Sequence, residues 1–190
     1  MLKNIFALFF VLLLAGCGSA GGKKVTDFSE LSVGYGWLDV SGVDANTLDS
    51  VVIFQHRPLS ETPYYHVAVE KFESGFLYYS FAFPKGSFAA YSAEGQSCLG
   101  IICSNTIYTY RFGKQGDDVA AVSIDQPGVY HFGDYALEEI KTGLFEQDKF
   151  KAVPAKSAPT KKQMLKEILV SAQDVPIVAQ RIKAELEKLQ

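Results

Sequence analysis

Tyr65-His66-Val67-Ala68-Val69-Glu70-Lys71-Phe72 and, after Glu73-Ser74-Gly75, Phe76-Leu77-Tyr78-Tyr79-Ser80-Phe81-Ala82-Phe83 form the stretch on which the fold turns. In the first run Tyr65, Val67 and Val69 alternate with His66 and Glu70, the period of two that a half-buried strand requires. The second run carries aromatics on both faces, which suits a central strand or one covered by further structure. Outward from this pair, runs rich in β-branched and aromatic residues recur at 33–40, 50–55, 87–92, 106–112, 119–124, 128–132, 136–142 and 149–153. Ser41-Gly42, Pro58, Pro84-Lys85-Gly86, the segment 113–118 and Pro127-Gly128 break them, because Pro presets a turn angle and Gly supplies the freedom that follows it. The pattern predicts a mainly β domain over 28–153, an antiparallel β-sandwich of immunoglobulin or prealbumin type.

The period then changes. After a linker at 154–159 containing Pro154 and Pro159, Thr160 and Gln163 make a capping-box pattern, and Met164, Leu165, Ile168 and Leu169 follow at helical spacing. A second helix is expected from near Asp174 with Pro176 in its first turn. Its apolar stripe is Val178, Ile182, Leu186 and Leu189, and its opposite face carries Arg181, Lys183, Glu185 and Lys188. The tail, 160–190, is thus predicted as a pair of helices packed on the β-domain.

At the other end, Lys3 precedes an unbroken apolar run from Ile5 to Leu14, about half of the ~20 residues a membrane-spanning helix needs and the size of a cleavable signal. The run ends in Leu14-Ala15-Gly16-Cys17, which resembles the bacterial lipobox. That resemblance implies cleavage after residue 16, diacylation of Cys17 and membrane attachment through it. Gly18 follows, whereas in Gram-negative lipoproteins of this kind an aspartate there retains the protein at the inner membrane. The implied address is therefore the outer membrane of a Gram-negative cell or, in a Gram-positive one, its only membrane, with 17–27 as lipidated cysteine and flexible tether.

Two cysteines remain, Cys98 and Cys103, and an even pair in an exported chain predicts a disulfide closing the short loop Leu99-Gly100-Ile101-Ile102. Chain entropy for so small a loop contributes about 2 kcal/mol. The formal charge is −3, with 11 Lys/Arg against 17 Asp/Glu in 17–159 and 6 against 4 in 160–190. An acidic body with scattered lysines lacks the clustered basic face of a nucleic-acid binder.

Phe81-Ala82-Phe83-Pro84-Lys85-Gly86-Ser87-Phe88 and Gln126-Pro127-Gly128-Val129-Tyr130-His131-Phe132-Gly133-Asp134-Tyr135 resemble elements of small envelope lipoproteins with a carboxypeptidase-regulatory-like or prealbumin-like β-sandwich. The similarity covers roughly residues 50–145. The Cys98–Cys103 segment departs from that pattern, and the resemblance brings no catalytic residues with it.

No Gly-x-Ser-x-Gly elbow, His-Glu-x-x-His helix or phosphate loop occurs, and Gly34-Tyr35-Gly36 reads as a strand irregularity. His56, His66 and His131 fall on different strands and read as ordinary strand or surface histidines, so neither a metal nor a cofactor is expected. Asp117-Asp118 and Glu138-Glu139 are adjacent pairs that point to opposite faces of a strand, which suits solvated charges better than an acid/base pair. The enriched residues are aromatic, 10 Tyr and 14 Phe, and the doublets Tyr64-Tyr65 and Tyr78-Tyr79 are the candidate binding aromatics. The function expected is that of a non-enzymatic, membrane-anchored binding or structural module for another envelope protein or a glycan. The rival class is a hydrolase acting on envelope polymers.

Overall fold

A computed structural model describes residues 25–58, 61–113, 119–140 and 149–189. The signal segment, Cys17, the tether as far as Lys24 and the Asp117-Asp118 pair lie outside them. The described chain is mainly β and ends in two helices. Its strands are β1 (Ser32–Gly42), β2 (Thr47–Arg57), β3 (Tyr64–Phe72), β4 (Gly75–Phe83), β5 (Gly86–Gln96), β6 (Cys98–Leu99), β7 (Ile102–Cys103), β8 (Tyr108–Arg111), β9 (Val122–Ile124), β10 (Val129–Ile140) and β11 (Lys149–Pro154). The helices are α1 (Lys161–Ser171) and α2 (Pro176–Lys188).

Two points of the antiparallel sandwich expectation are corrected. Nine strands join in one sheet, in the order β11-β10-β1-β4-β3-β2-β5-β8 with β9 also on β5, and this sheet curls until it is nearly closed and barrel-like. Tyr110 of β8 and Phe150 of β11 meet edge to face across the seam, with ring centroids 4.9 Å apart. In addition, β1 and β10 pair parallel, while the other neighbours are antiparallel. The physical reason is that a sandwich and a small barrel impose the same alternation on each strand, one face in and one face out.

The wall separates two cores. Inside lie Leu38, Val51, Ile53, Val67, Phe83, Phe88, Phe112, Ile124, Phe132 and Leu137. Outside, on β1 and β4, Val33, Tyr35, Trp37 and Leu77 pack under Met164, Leu165 and Ile168 of α1 and Val178 and Ile182 of α2. This double burial explains why β4 has no polar face. Trp37 is fully buried at this outer interface, and its Nε1 donates to the Phe72 carbonyl at 3.1 Å.

Strand β1 alternates strictly, so Gly34 and Gly36 fall on the inner face. A Cβ on Gly34 would meet the rings of Phe132 and Phe83, and one on Gly36 would meet the Tyr78 hydroxyl and the Gly133 carbonyl. These glycines are the gaps into which inner aromatics fit. Opposite them, between the pairs Tyr35↔His131 and Trp37↔Asp134, the single residue Gly36 of β1 faces two of β10, Phe132 and Gly133, a β-bulge at Gly133, whose φ of +104° suits glycine alone. The extra residue resolves a conflict of parity. Phe132 and Leu137 are five apart, so a regular strand would send them to opposite faces, yet both are buried in the barrel. Hence the runs at 128–132 and 136–142 are one strand as far as Ile140.

Helix α1 opens with the reciprocal cap expected: Gln163 N donates to Thr160 Oγ1 at 3.2 Å, and Thr160 N donates to Gln163 Oε1 at 2.9 Å. Helix α2 starts where expected, with Val175 as its N-cap and Pro176 at its first position. Arg181 does not belong to the solvated face. Its guanidinium donates to the carbonyls of Phe28 (2.8 Å), Ser29 and Leu31, which pins the entry of the chain to α2.

Candidate functional site

The four aromatics singled out by the sequence go to four environments. Tyr78 is fully buried inside the barrel and donates to the Gly133 carbonyl at 3.1 Å. Tyr65 is half-buried and points inward, packed near Phe83 and Phe88, with its hydroxyl donating to Gln55 Oε1 at 3.0 Å. Tyr79 lies outside beside α1, where its hydroxyl reaches Ser171 Oγ at 2.8 Å and Glu70 Oε2 at 3.4 Å. Tyr64 alone of the four is open to solvent, 49% exposed. As binding aromatics Tyr65, Tyr78 and Tyr79 are thus set aside, because a doublet on a strand puts one ring on each face, and Tyr65 and Tyr78 face the barrel interior while Tyr79 lies beside the helices.

Tyr64 heads a cluster on the wall that the helices leave bare. It pairs across the strands with Phe54 of β2, ring centroids 5.1 Å apart, and Tyr91 of β5 lies 5.5 Å from Tyr64 and 5.9 Å from Phe54. His56 adds an edge contact to Phe54 at 4.8 Å, and the Arg111 guanidinium stands over Tyr91 at 5.8 Å. Phe54 was open to sequence reasoning: Val51 and Ile53 set the inner phase of β2, so an aromatic at 54 is out of phase with the core. Tyr91 was not, since the registers Val52↔Ser92 and Ile53↔Ala90 place an irregularity at that residue and detach its direction from simple alternation. The rings are tilted to one another by 40° to 59°, which makes a knobbed cluster instead of a flat stacking platform.

His131 sits apart from the other histidines. Its Nε2 is 2.8 Å from Asp134 Oδ1, and its ring lies 5.0 Å from Tyr35 on the helix-covered side. Among the described residues no group of three or more His, Cys, Asp or Glu side chains gathers as metal ligands would. Glu138 and Glu139 take opposite faces, Glu138 pairing with Lys151 at 3.3 Å and Glu139 lining the seam. The seam holds a cleft of about 160 Å³ bounded by Asp44, Tyr108, Tyr110, Glu139 and Phe150. It falls short of the roughly 300–1,000 Å³ of a small-molecule site.

Beside α1, Glu70 Oε1 is buried with no hydrogen-bond partner among the described residues. Burial, and next the like charge of Glu167, push its carboxyl above the ordinary value, against the smaller opposing effect of the Tyr79 hydroxyl. A carboxyl whose folded value is raised is penalised once ionised. Its cost is absent below the unfolded value and complete above the folded one. Glu70→Gln is therefore expected to raise the Tm by about 2 °C at pH 7, a gain that vanishes near pH 4. Thermal melts of both proteins across that range check it, and an equal gain at both ends would refute the assignment.

Cys98 and Cys103 stand at disulfide distance and join the two strands of a separate hairpin, β6 and β7. Comparison with protein-family models, with curated proteins and with solved structures finds no match for this chain.

Proposed function

We propose that the chain is a non-enzymatic binding module of the cell envelope, held to a membrane through acylated Cys17, that grips a partner protein with the cluster of Phe54, Tyr64, Tyr91, His56 and Arg111. The observation that carries this reading is the half-exposed Tyr64 packed against two further rings, Phe54 and the Arg111-capped Tyr91, on a wall with no other cover among the described residues. Tyr and Arg are the side chains that dominate binding energy at protein interfaces, and they do so when clustered at the centre of a contact. A sugar would favour one ring face presented flat, whereas these rings stand tilted. The lipobox at Leu14-Ala15-Gly16-Cys17 supports the anchor, and the likeness to small envelope lipoproteins belongs to the same reading.

A photocrosslinking residue at position 64 tests it, in the full chain in its own membranes. The expected result is one discrete protein adduct. Tyr91→Ala or Arg111→Ala in the same chain should weaken the captured contact about 30-fold, the loss typical of an interface hot spot. Cys17→Ser should weaken the adduct, because the chain then lacks its acyl anchor. Crosslinks to no discrete protein, or an adduct indifferent to Tyr91 and Arg111, would sink the reading.

A further inference from the structure

We infer that the Cys98–Cys103 hairpin is a lipid-inserting tip, a second contact that seats the end of the barrel in the hydrocarbon of a neutral bilayer. At its apex Leu99, Ile101 and Ile102 are 87%, 101% and 74% exposed, and Ile107 just beyond is 61% exposed. Four aliphatic residues so close in the chain and all facing water need an explanation, since exposed apolar residues ordinarily occur singly.

The hairpin is held out, not loose. The disulfide closes its base, the Asn46 side chain donates to the Cys98 carbonyl at 2.6 Å and accepts from the Cys98 N–H at 2.7 Å, and Cys98 Sγ lies 3.5 Å from Thr47 Oγ1. These bonds fix the tip to the start of β2 and prevent it from folding back onto the barrel. No Lys, Arg, Asp or Glu occurs between Gln96 and Tyr110, so nothing charged must be desolvated when the tip enters hydrocarbon.

The occupant follows from size and composition. A specific protein interface draws on about 20–30 residues a side, far more than four, so neither a second copy nor a partner protein is stably held by this tip alone. A bilayer needs no complementary surface, and insertion strengthens with each apolar side chain buried. Leu, Ile and Ile without Trp, Tyr or Arg match hydrocarbon better than a hot spot. The exposed Asp44 and Asp49 flank Asn46-Thr47, so anionic lipid is disfavoured and a neutral surface preferred.

The tip and the pinned entry segment Phe28–Leu31 lie at opposite ends of β1, roughly 36 Å apart at the strand rise of ~3.3 Å per residue. A tether from Cys17 to Val25 can span up to about 28 Å, so an inclined barrel brings both to one bilayer. Insertion of the tip does not require acylation of Cys17, nor does it involve the aromatic cluster.

The test uses the full chain reconstituted in phosphatidylcholine vesicles doped with brominated phosphatidylcholine, in three forms: wild type, Ile101→Trp and, as a control on exposed α1, Val170→Trp. The indole introduced at position 101 should shift its emission to the blue and lose about half its intensity or more to the bromines, while the indole at position 170 and the native Trp37 change little. Adding Leu99→Asp and Ile102→Asp to the Ile101→Trp chain should return quenching to the wild-type level. Emission from position 101 that stays water-like and unquenched in vesicles carrying the protein overturns the proposal, as does quenching equal at positions 101 and 170.

Discussion

Gly36→Val is expected to cost about 3–5 kcal/mol and lower the Tm by ~10 °C or more, although valine is the better strand residue. The new side chain has no room: its first carbon falls on the Tyr78 hydroxyl and the Gly133 carbonyl, the donor and acceptor of a hydrogen bond inside the barrel. Overpacking accounts for part of the loss, and orphaning the bulge carbonyl for the rest. The interlock can be measured as a coupling. Gly36→Ala and Tyr78→Phe each destabilise, but together they should cost less than the sum, because Phe lacks the oxygen that the alanine methyl strikes. Thermal and urea melts of the four proteins check this. Strict additivity, or a Gly36→Val protein as stable as wild type, would refute the account of β1.

The same region shows what the chain discloses in one dimension. Alternation at Tyr65 to Val69 and the doubly apolar run at 76–83 predict β3 and β4 because burial on a strand has a period of two, and Thr160 with Gln163 predicts the start of α1 because a cap is a local bond. Closure of the sheet is a different matter. It depends on how far strands stagger and curl, which leaves no mark on the alternation of any one of them. The bulge at Gly133 hides in the same way, since Gly133-Asp134 reads as a break until Phe132 and Leu137 are seen to share one interior.

Among candidate site residues, the sequence marks aromatic doublets but not which member is exposed. That is decided by where α1 and α2 settle, and they cover the outer face at Trp37 and Leu77 while leaving Tyr64 bare. The cysteine pair was legible from parity and spacing. The outward thrust of Leu99, Ile101 and Ile102 was not, because a short apolar loop reads as something to be buried until the structure shows no element above it among the described residues.

Ile168→Asp is expected to free both helices from the barrel and uncover Trp37. Ile168 is fully buried between α1 and the outer face of β1 and β4, in a cluster with Trp37, Met164, Leu165 and Ile182. An unpaired carboxylate there costs several kcal/mol in desolvation, comparable to the net stability of a whole domain, so the helix leaves rather than accept it. The inner core shares no residue with the outer one, which is why undocking need not melt the barrel. Trp37 is the only tryptophan, so its emission reports the event directly and should shift toward the red of a solvated indole. Proteolysis should then cut at the linker around Ala155 to Pro159, while the β signature in circular dichroism persists to a separate, higher melting step. Val170→Asp, on the exposed side of the same helix, should change none of these. If Ile168→Asp keeps the native Trp37 emission, or if barrel and helices melt together in one step, the two cores are not the independent units that their separation by the β1/β4 wall implies.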